Sequence, residues 1–379
     1  MKKMLSLAAM CAVLAYASPA SAELKLGGDA SVRLRDVSYS GDTADTKKED
    51  AVWQYRVRLN ASADLGEGYF FKAMLTDENN GAGGWQSVGN NVAAGGNQEK
   101  YILNVSNFYF GRMLKDSHYM AGRLPLGSFN NPIFDLTLYP TTSCENPVAN
   151  IYYDRVYGLN YGTKIGDGML NATLVVLDNE KSNDTKKTGD GLFNDGYALH
   201  LDYKVNIGKV TFEPQFLTAL TNASASNQPL FSSGYYTGFY DVTPYTFGAN
   251  LAVPAGSAKL SFGAFYTSCN DTTPQNTIGV AGTKVDYNAY QFRIKGEIGN
   301  FMAFYDYNHA TDKATFAKDA TYTNNFVWAQ YKIPVYSSAA GSFTLQPTVR
   351  YATNKVKYDG ATPVDQQRLR TELWATVTF

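Results

Sequence analysis

The residues best able to do chemistry are few in this sequence. Its three histidines are His118, His200 and His309. A hydrolase would need a histidine beside a serine or a pair of acids, and no local signature places a nucleophile near His200. The run 190–196 has the look of a calcium loop but lacks the ligand spacing and the closing glutamate, so we interpret it as a turn-rich loop. We therefore expect no enzyme, no metal site and no cofactor.

The N-terminus has the three parts of a secretory signal peptide. Residues 1–3 carry two lysines, residues 4–16 are a short apolar core, and residues 20–22 read Ala-Ser-Ala, a small-residue cleavage signal. The apolar core is too short to span a membrane as a helix. We expect residues 1–22 to be removed on export and residues 23–379 to form one domain.

Charge and cysteine content narrow the partners of the exported chain. The formal net charge is −1, and about −3 once the two lysines of the signal peptide are lost, so the composition does not favour a nucleic-acid partner. Cys144 and Cys269 are the cysteines that remain after residue 22. Export exposes them to oxidising conditions, so a disulfide between them is one alternative and two free thiols are the other.

Side chains alternate between apolar and polar over many short segments. From Trp53 to Leu65 the odd residues are apolar and the even residues are polar. Successive side chains of a strand point to opposite faces, so this pattern predicts a strand with one apolar face. The segment exceeds the roughly 9–11 residues that a tilted strand needs to cross a bilayer.

The same alternation predicts about sixteen strands, and an even number is typical of a bacterial membrane barrel. They lie near residues 24–35, 51–65, 69–76, 101–111, 117–124, 152–162, 169–177, 197–205, 210–220, 244–253, 258–267, 287–298, 301–309, 324–335, 343–353 and 367–379.

The connections between these strands alternate in length. Short turns are predicted at 66–68, 166–168, 206–208, 254–256 and 299–300. Long polar loops are predicted at 36–50, 77–100, 125–151, 178–196, 221–243, 268–286, 310–323 and 354–366. Short turns on one side and long loops on the other are typical of a transmembrane up-and-down barrel. The predicted fold class is therefore all-β, an antiparallel membrane barrel with short periplasmic turns and long extracellular loops.

The chain ends on Phe379, inside the last alternating segment. A closed barrel covers such an end by pairing the last strand with the first. The signal peptide, the sixteen strands and the terminal phenylalanine together resemble a Gram-negative general porin. That resemblance implies that the barrel-assembly machinery recognises Phe379. It also implies a homotrimer in the outer membrane, in contact with its lipid and lipopolysaccharide.

Basic residues cluster on the polar parity of the first and last strands. If the apolar parity faces lipid, the following side chains point into the barrel: Arg33, Arg35, Arg56, Arg58, Lys72, Arg350, Arg368 and Arg370. Because the first and last strands are neighbours in a closed barrel, these residues are predicted to form one basic wall. Like charges so close must be hydrated and must face acids or passing anions. The alternative is a set of solvated side chains with no selective role.

The third long loop, 125–151, is a candidate for narrowing the channel. In porins this loop folds into the barrel, and the resemblance implies the same here. Its acids Asp135 and Glu145 could then face the basic wall across a constriction. Four prolines stiffen the loop, and apolar residues between 133 and 139 could pack on the wall. An ordinary surface loop is the alternative.

The sequence thus predicts an outer-membrane porin that passively conducts ions and small hydrophilic solutes, with a mild preference for anions. A substrate-specific porin is the nearest alternative, because aromatic residues of the loop 221–243 could guide a sugar or an aromatic solute. These residues are Tyr235, Tyr236, Phe239 and Tyr240. Anchoring at the membrane rim explains them equally well. A surface barrel that displays its loops, or an outer-membrane enzyme, are the remaining alternatives.

Overall fold

The computed structural model of the chain describes residues 23–42, 48–77, 85–88, 103–125, 131–136, 138–145, 156–178, 196–221, 242–273, 283–313 and 319–379. The predicted signal peptide lies outside the described residues, as do Tyr235, Tyr236, Phe239 and Tyr240 of the loop 221–243.

The described chain is almost entirely β-strand. Its strands are β1 (Glu23–Gly41), β2 (Lys48–Gly66), β3 (Tyr69–Thr76), β4 (Gln86–Ser87), β5 (Asn104–Met113), β6 (Ser117–Leu124), β7 (Val156–Ile165), β8 (Gly168–Asp178), β9 (Gly196–Ile207), β10 (Val210–Thr221), β11 (Tyr245–Ala255), β12 (Ala258–Thr273), β13 (Thr283–Ile298), β14 (Phe301–Asp312), β15 (Ala320–Tyr331), β16 (Ile333–Ser338), β17 (Gly341–Tyr358) and β18 (Val364–Thr378). One short helix, α1 (Pro132–Leu136), precedes β7. No helix in this part of the chain is long and apolar enough to cross a bilayer.

The strands form one closed antiparallel barrel. Each pairs with its neighbours along the chain, and β1 closes the ring by pairing with β18 from Asp29 opposite Thr378 to Gly41 opposite Gln366. β15 and β16 both pair with β17 and form one stave interrupted at Lys332, while β4 continues the line of β3 along β2. The described strands therefore make sixteen staves, which confirms the predicted all-β barrel.

The two faces of the barrel differ in polarity. On β13, the even residues Tyr290, Phe292 and Ile294 point outward and are 50%, 47% and 52% exposed. The odd residues between them, Gln291 and Arg293, are buried inside. Residues directly opposite in an antiparallel pair share a face, so the register extends this assignment around the barrel. The apolar outer face is the surface that a lipid bilayer would cover.

Short turns close one end of the barrel as the sequence predicts. In the turn between β2 and β3, Gly66 and Gly68 have φ of 86° and 82°. A side chain at Gly68 would clash with the backbone carbonyl of Met113, so glycine is required there for both its conformation and its size. The neighbouring Glu67 also has a positive φ, 50°.

Several predicted long loops are shorter in the structure. The loops predicted at 36–50, 268–286 and 354–366 are largely strand, because β1, β2, β12, β13 and β17 continue into them. Hydrogen bonds between neighbouring strands satisfy the backbone amide groups whether or not the side chains alternate. Strands can therefore continue beyond the bilayer, where both of their faces contact water. The alternation of apolar and polar side chains therefore predicts only the part of each strand that would lie within a bilayer.

Phe379 lies against the first strand at the seam. Its amide nitrogen and carbonyl oxygen exchange hydrogen bonds with the backbone of Gly28, at 3.1 and 2.8 Å. Its side chain is 56% exposed, on the same outer face as Val377 and Leu373. The prediction that Phe379 is read by the assembly machinery remains a prediction.

Candidate functional site

The basic side chains predicted to line the barrel lie on neighbouring staves. Closure of the ring places Arg33 opposite Trp374, Arg35 opposite Glu372 and Arg350 opposite Arg370. We call the following seven residues the arginine wall: Arg33, Arg35, Arg56, Arg58, Arg350, Arg368 and Arg370. Lys72, on the adjacent β3, is exposed and lies 5.6 Å from the ring centre of Phe70.

Glu372 is the central acid of this wall. Its carboxylate lies 3.3 Å from Arg33, 2.7 Å from Arg35 and 3.3 Å from Arg350, and its side chain has no exposed surface. Glu372 shares the predicted inward parity of Arg368 and Arg370, but the sequence analysis did not name it as a site residue. Its position two residues after Arg370 could have indicated that its side chain points into the barrel beside the arginines.

Asp29 is a second acid of the wall. It accepts a hydrogen bond from Nε of Arg58 at 2.8 Å and lies 4.0 Å from Arg56. Asp29 belongs to β1 and both arginines belong to β2, so the contact ties the first hairpin together on its inner face. Sequence reasoning placed Asp29 on the polar parity but did not assign it a role.

Part of the predicted third loop lies inside the barrel. We call residues 131–136 and 138–145 the inner segment. Asn131 donates a hydrogen bond to Gln215 on β10, the hydroxyl of Tyr139 donates one to Asp312 on β14, and Asn354 on β17 accepts one from the amide of Ser143. Because these partners span the inner faces of staves from β10 to β17, the inner segment crosses the interior. The rest of the loop 125–151, apart from Pro125, lies outside the described residues.

The inner segment is anchored by apolar packing. Ile133, Phe134, Leu136, Leu138 and Tyr139 are each at most 1% exposed. The ring of Tyr139 packs edge-on against Tyr287 at 4.6 Å, and the hydroxyl of Tyr287 donates a hydrogen bond to the Leu138 carbonyl. These contacts hold the segment against β13 and its neighbours. Burial of such side chains contributes roughly 1.5–3 kcal/mol each.

Glu145, at the end of the inner segment, meets the arginine wall. Its carboxylate lies 3.6 Å from Arg350 and 2.5 Å from Arg370, and it also accepts a hydrogen bond from Arg368. The side chain of Glu145 is 5% exposed. The structure thus brings the predicted loop acid together with three of the predicted basic residues.

Asp135 has a different partner from the one predicted. It pairs at 2.5 Å with Arg293 on β13, which sequence reasoning did not name. Arg293 also forms a bidentate contact with Asp306 on β14, at 2.6 and 2.7 Å. The prediction set Asp135 against the basic wall, whereas α1 carries it to another side of the barrel. The path of the inner segment through the interior determines which arginine pairs with Asp135, and this path cannot be read from a local sequence pattern.

Positive charge exceeds negative charge at the arginine wall. Among the described residues, ion pairs link these seven guanidinium groups to three carboxylates, those of Asp29, Glu145 and Glu372. The carboxylate of Asp77 also interacts with the charge of Arg56. The ten ion-paired residues therefore carry an excess of four positive charges. Such a cluster attracts anions, since each charge is only partly screened within a Debye length of about 8–10 Å.

Indole rings lie among these guanidinium groups. Trp85 precedes β4, within a stretch that sequence analysis predicted to be a loop, and points inward beside Arg33 and Arg56. Trp374 and Trp328 lie on β18 and β15 and flank Arg350. Sequence reasoning did not select any of the three, although Trp374 shares the inward parity of Arg370.

Cys144 and Cys269 are free thiols, so the disulfide alternative is not formed in the structure. Cys144 packs beside Phe304, Phe326 and Trp328, whereas Cys269 lies in a separate apolar cluster that includes Tyr287. Burial raises the pKa of the Cys144 thiol well above its ordinary value.

Two of the histidines lie on the inner face of the barrel and the third lies on the outer face. On the inner face, His118 hydrogen-bonds Asn160 at 2.9 Å and His200 hydrogen-bonds Gln215 at 2.9 Å. On the outer face, His309 lies opposite Tyr290 and hydrogen-bonds Thr323 at 3.1 Å. The ring of His200 also packs on Phe134 of the inner segment. The contacts of His118 and His200 are ordinary hydrogen bonds between polar side chains of the inner face.

A cavity of about 390 Å³ lies away from the arginine wall, between α1 and the staves beneath it. It is lined by charged side chains of both signs, among them Lys204, Glu213, Lys259 and Arg293. The interior is therefore polar on this side as well.

A closed antiparallel barrel of sixteen staves, apolar outside and charged inside, defines a porin-like fold of the outer-membrane type. No model of a protein family matches the sequence, and no functionally curated protein matches it either.

Solved outer-membrane barrels share this fold at very low sequence identity. A loop-deletion mutant of OmpT, an outer membrane protein of Vibrio cholerae, is 9% identical with a TM-score of 0.54, over 93% of this chain and 99% of that one. The trimer form of in-vitro folded OmpT is 9% identical with a TM-score of 0.52, over 93% and 99% of the two chains. An anion-selective porin from Comamonas acidovorans is 13% identical with a TM-score of 0.51, over 95% and 100%.

Proposed function

We propose that this protein is an outer-membrane porin that passively conducts ions and small hydrophilic solutes. One observation carries the proposal: the inner segment lies within a closed barrel and sets Glu145 against the arginine wall. A buried charge is costly unless it is paired and hydrated. An interior built from charged side chains is therefore suited to water and dissolved ions rather than to a dry core.

The proposal assigns the constriction of the channel to the inner segment. Its fixed contacts with β10, β14 and β17 narrow the free space on the side of the arginine wall. The excess of guanidinium over carboxylate groups favours anions over cations in that space. The porin from Comamonas acidovorans, which has a similar barrel, is anion-selective, and this agrees with the assignment.

Assembly and location form part of the same proposal. The apolar outer face suits a bilayer, and we place the protein in the outer membrane after cleavage of residues 1–22. A trimer form is described for OmpT of Vibrio cholerae, and we propose a homotrimer here too. Outer-membrane lipid, lipopolysaccharide and the assembly machinery are the partners this placement requires. The proposal includes no enzymatic activity.

Single-channel recording tests the proposal. The purified full-length protein, reconstituted in planar bilayers, is expected to give stable conductance steps in KCl, grouped in threes if the trimer is the conducting unit. Folded protein that inserts without conductance would contradict a porin and favour a barrel that displays its loops. Hydrolysis of ester or peptide substrates by non-conducting protein would point to an enzyme.

A further inference from the structure

Indole and guanidinium groups alternate along the inner wall. Measured from guanidinium carbon to ring centre, Arg56 lies 4.7 Å from Trp85, Arg33 lies 4.1 Å from Trp85 and 5.6 Å from Trp374, and Arg350 lies 5.8 Å from Trp374 and 3.6 Å from Trp328. We call these six residues the Trp–Arg ladder. It contains three of the four tryptophans of the chain, and the fourth, Trp53, faces outward with 56% exposure.

The ladder has a covered end and an accessible end. Trp328 is 6% exposed and packs in the cluster that includes Cys144 of the inner segment. Trp85 and Trp374 are only half-buried, and their ring centres are 5.2 Å apart with a 58° angle between the planes. Two partly exposed indole rings therefore meet at one place on the inner wall. Planar solutes stack on such faces.

Positive groups surround the accessible end. The side chains of Arg35, Arg56 and Arg370 are 18%, 11% and 12% exposed, so part of each still meets the interior. The Nε atoms of Arg350 and Arg370 are buried and have no hydrogen-bond acceptor among the described residues. Because both atoms are buried, a solute would meet the partly exposed ends of the guanidinium groups instead, and a carboxylate is the acceptor that these groups bind best.

We propose that Trp85 and Trp374, with the arginines beside them, form a binding subsite for planar aromatic carboxylates. The ring of the solute stacks on the indoles, and its carboxylate pairs with the guanidinium groups. This inference rests on the proposed channel and specifies one class of its solutes. Positive charge at the ladder disfavours aromatic cations, and a carboxylate without a ring would use the arginines but not the indoles.

Benzoate and cyclohexanecarboxylate are matched probes, because both are six-membered-ring monocarboxylates and only benzoate is aromatic. Channels of the full-length protein are first recorded in KCl, and each probe is then titrated to find the concentration that halves the current. Benzoate is expected to act at a concentration roughly 2- to 12-fold lower, the range that aromatic stacking contributes. Equal potency of the two probes would overturn the subsite.

Two variants distinguish the contribution of the Trp85 indole from the general effect of replacing a tryptophan. Trp85→Leu removes one of the two indoles and is expected to reduce the preference for benzoate, with the effect of each probe expressed relative to that variant's own KCl current. Trp53→Leu removes a tryptophan from the outer face and is expected to keep the preference. A preference that survives Trp85→Leu unchanged would overturn the assignment.

A binding measurement distinguishes failure of the subsite from failure of the channel. Equilibrium dialysis of the detergent-solubilised trimer or monomer with each probe needs no conductance. Preferential benzoate binding that depends on Trp85 would support the subsite even if no current were found in KCl. Conducting channels that bind both probes equally would leave the porin proposal intact and reject the subsite.

Discussion

At the scale of single residues, Glu372 connects the two ends of the chain. It pairs with Arg33 and Arg35 on β1 and with Arg350 on β17, the two neighbours of its own strand. Sequence parity placed these four side chains on one face, but it could not say which acid meets which arginine. The pairing of acids with arginines depends on the register between the first and last strands and on the burial of each side chain. Both are defined only in the folded barrel.

Glu372→Gln is expected to destabilise the barrel. It leaves three guanidinium groups without their shared carboxylate, and loss of one partner from a buried ion pair costs on the order of 3–5 kcal/mol. The midpoint of thermal unfolding, followed by circular dichroism in detergent, measures the effect. Glu23→Gln is the control, because Glu23 pairs with Lys25 at 3.2 Å on the surface. Equal midpoints for Glu372→Gln and the parent would contradict this role.

Cys144 is expected to alkylate slowly in the folded protein near pH 8. Burial raises its pKa, so the reactive thiolate is scarcer at that pH than in an ordinary thiol, and the rate should keep rising well above pH 9. Mass spectrometry of a Cys269→Ser variant after timed alkylation gives the rate at each pH. A rate that levels off near pH 8.5 would contradict the raised pKa. In unfolded protein that lacks residues 1–22, two labels without reductant are expected from the two free thiols.

At the scale of elements, side-chain alternation predicted all sixteen staves, because the outer face contacts lipid and the inner face contacts water. β3 and β6 begin and end where predicted, at 69–76 and 117–124. Strand extensions beyond the bilayer and β4 were missed, since both faces there meet polar surroundings. The inner segment was predicted from its length and apolar run through the porin resemblance, but its partners Arg293 and Asp306 were not.

Asp135→Asn is expected to loosen the inner segment. Arg293 keeps its bidentate contact with Asp306, so its charge stays paired, while α1 loses its ion pair with β13. A charge-assisted hydrogen bond contributes about 1.5–3 kcal/mol, so its loss would raise the fraction of molecules with a displaced inner segment roughly ten- to hundredfold. Open-channel current noise should increase as a result.

Asp167→Asn, in an exposed turn between β7 and β8, is the matched control and should leave the noise unchanged. Parent-like noise in Asp135→Asn, with a thermal midpoint equal to that of the control, would show that the ion pair does not hold the segment.

At the scale of the whole molecule, closure through β1 and β18 gathers residues from both ends of the sequence into one charged wall. The same closure pairs the final residue, Phe379, with the backbone of Gly28. The barrel thus presents apolar side chains to the outside, and an arginine-rich surface to the interior next to the inner segment. This arrangement is the basis of the anion-preferring channel proposed above.

The reversal potential of single channels under a KCl gradient tests this claim most directly. The excess of guanidinium groups predicts a sign that corresponds to preferential chloride passage. Arg35→Gln should move the potential toward zero, whereas Lys25→Gln, which alters an exposed lysine, should not. A potential of the opposite sign in the parent protein, showing preferential potassium passage, would contradict the account.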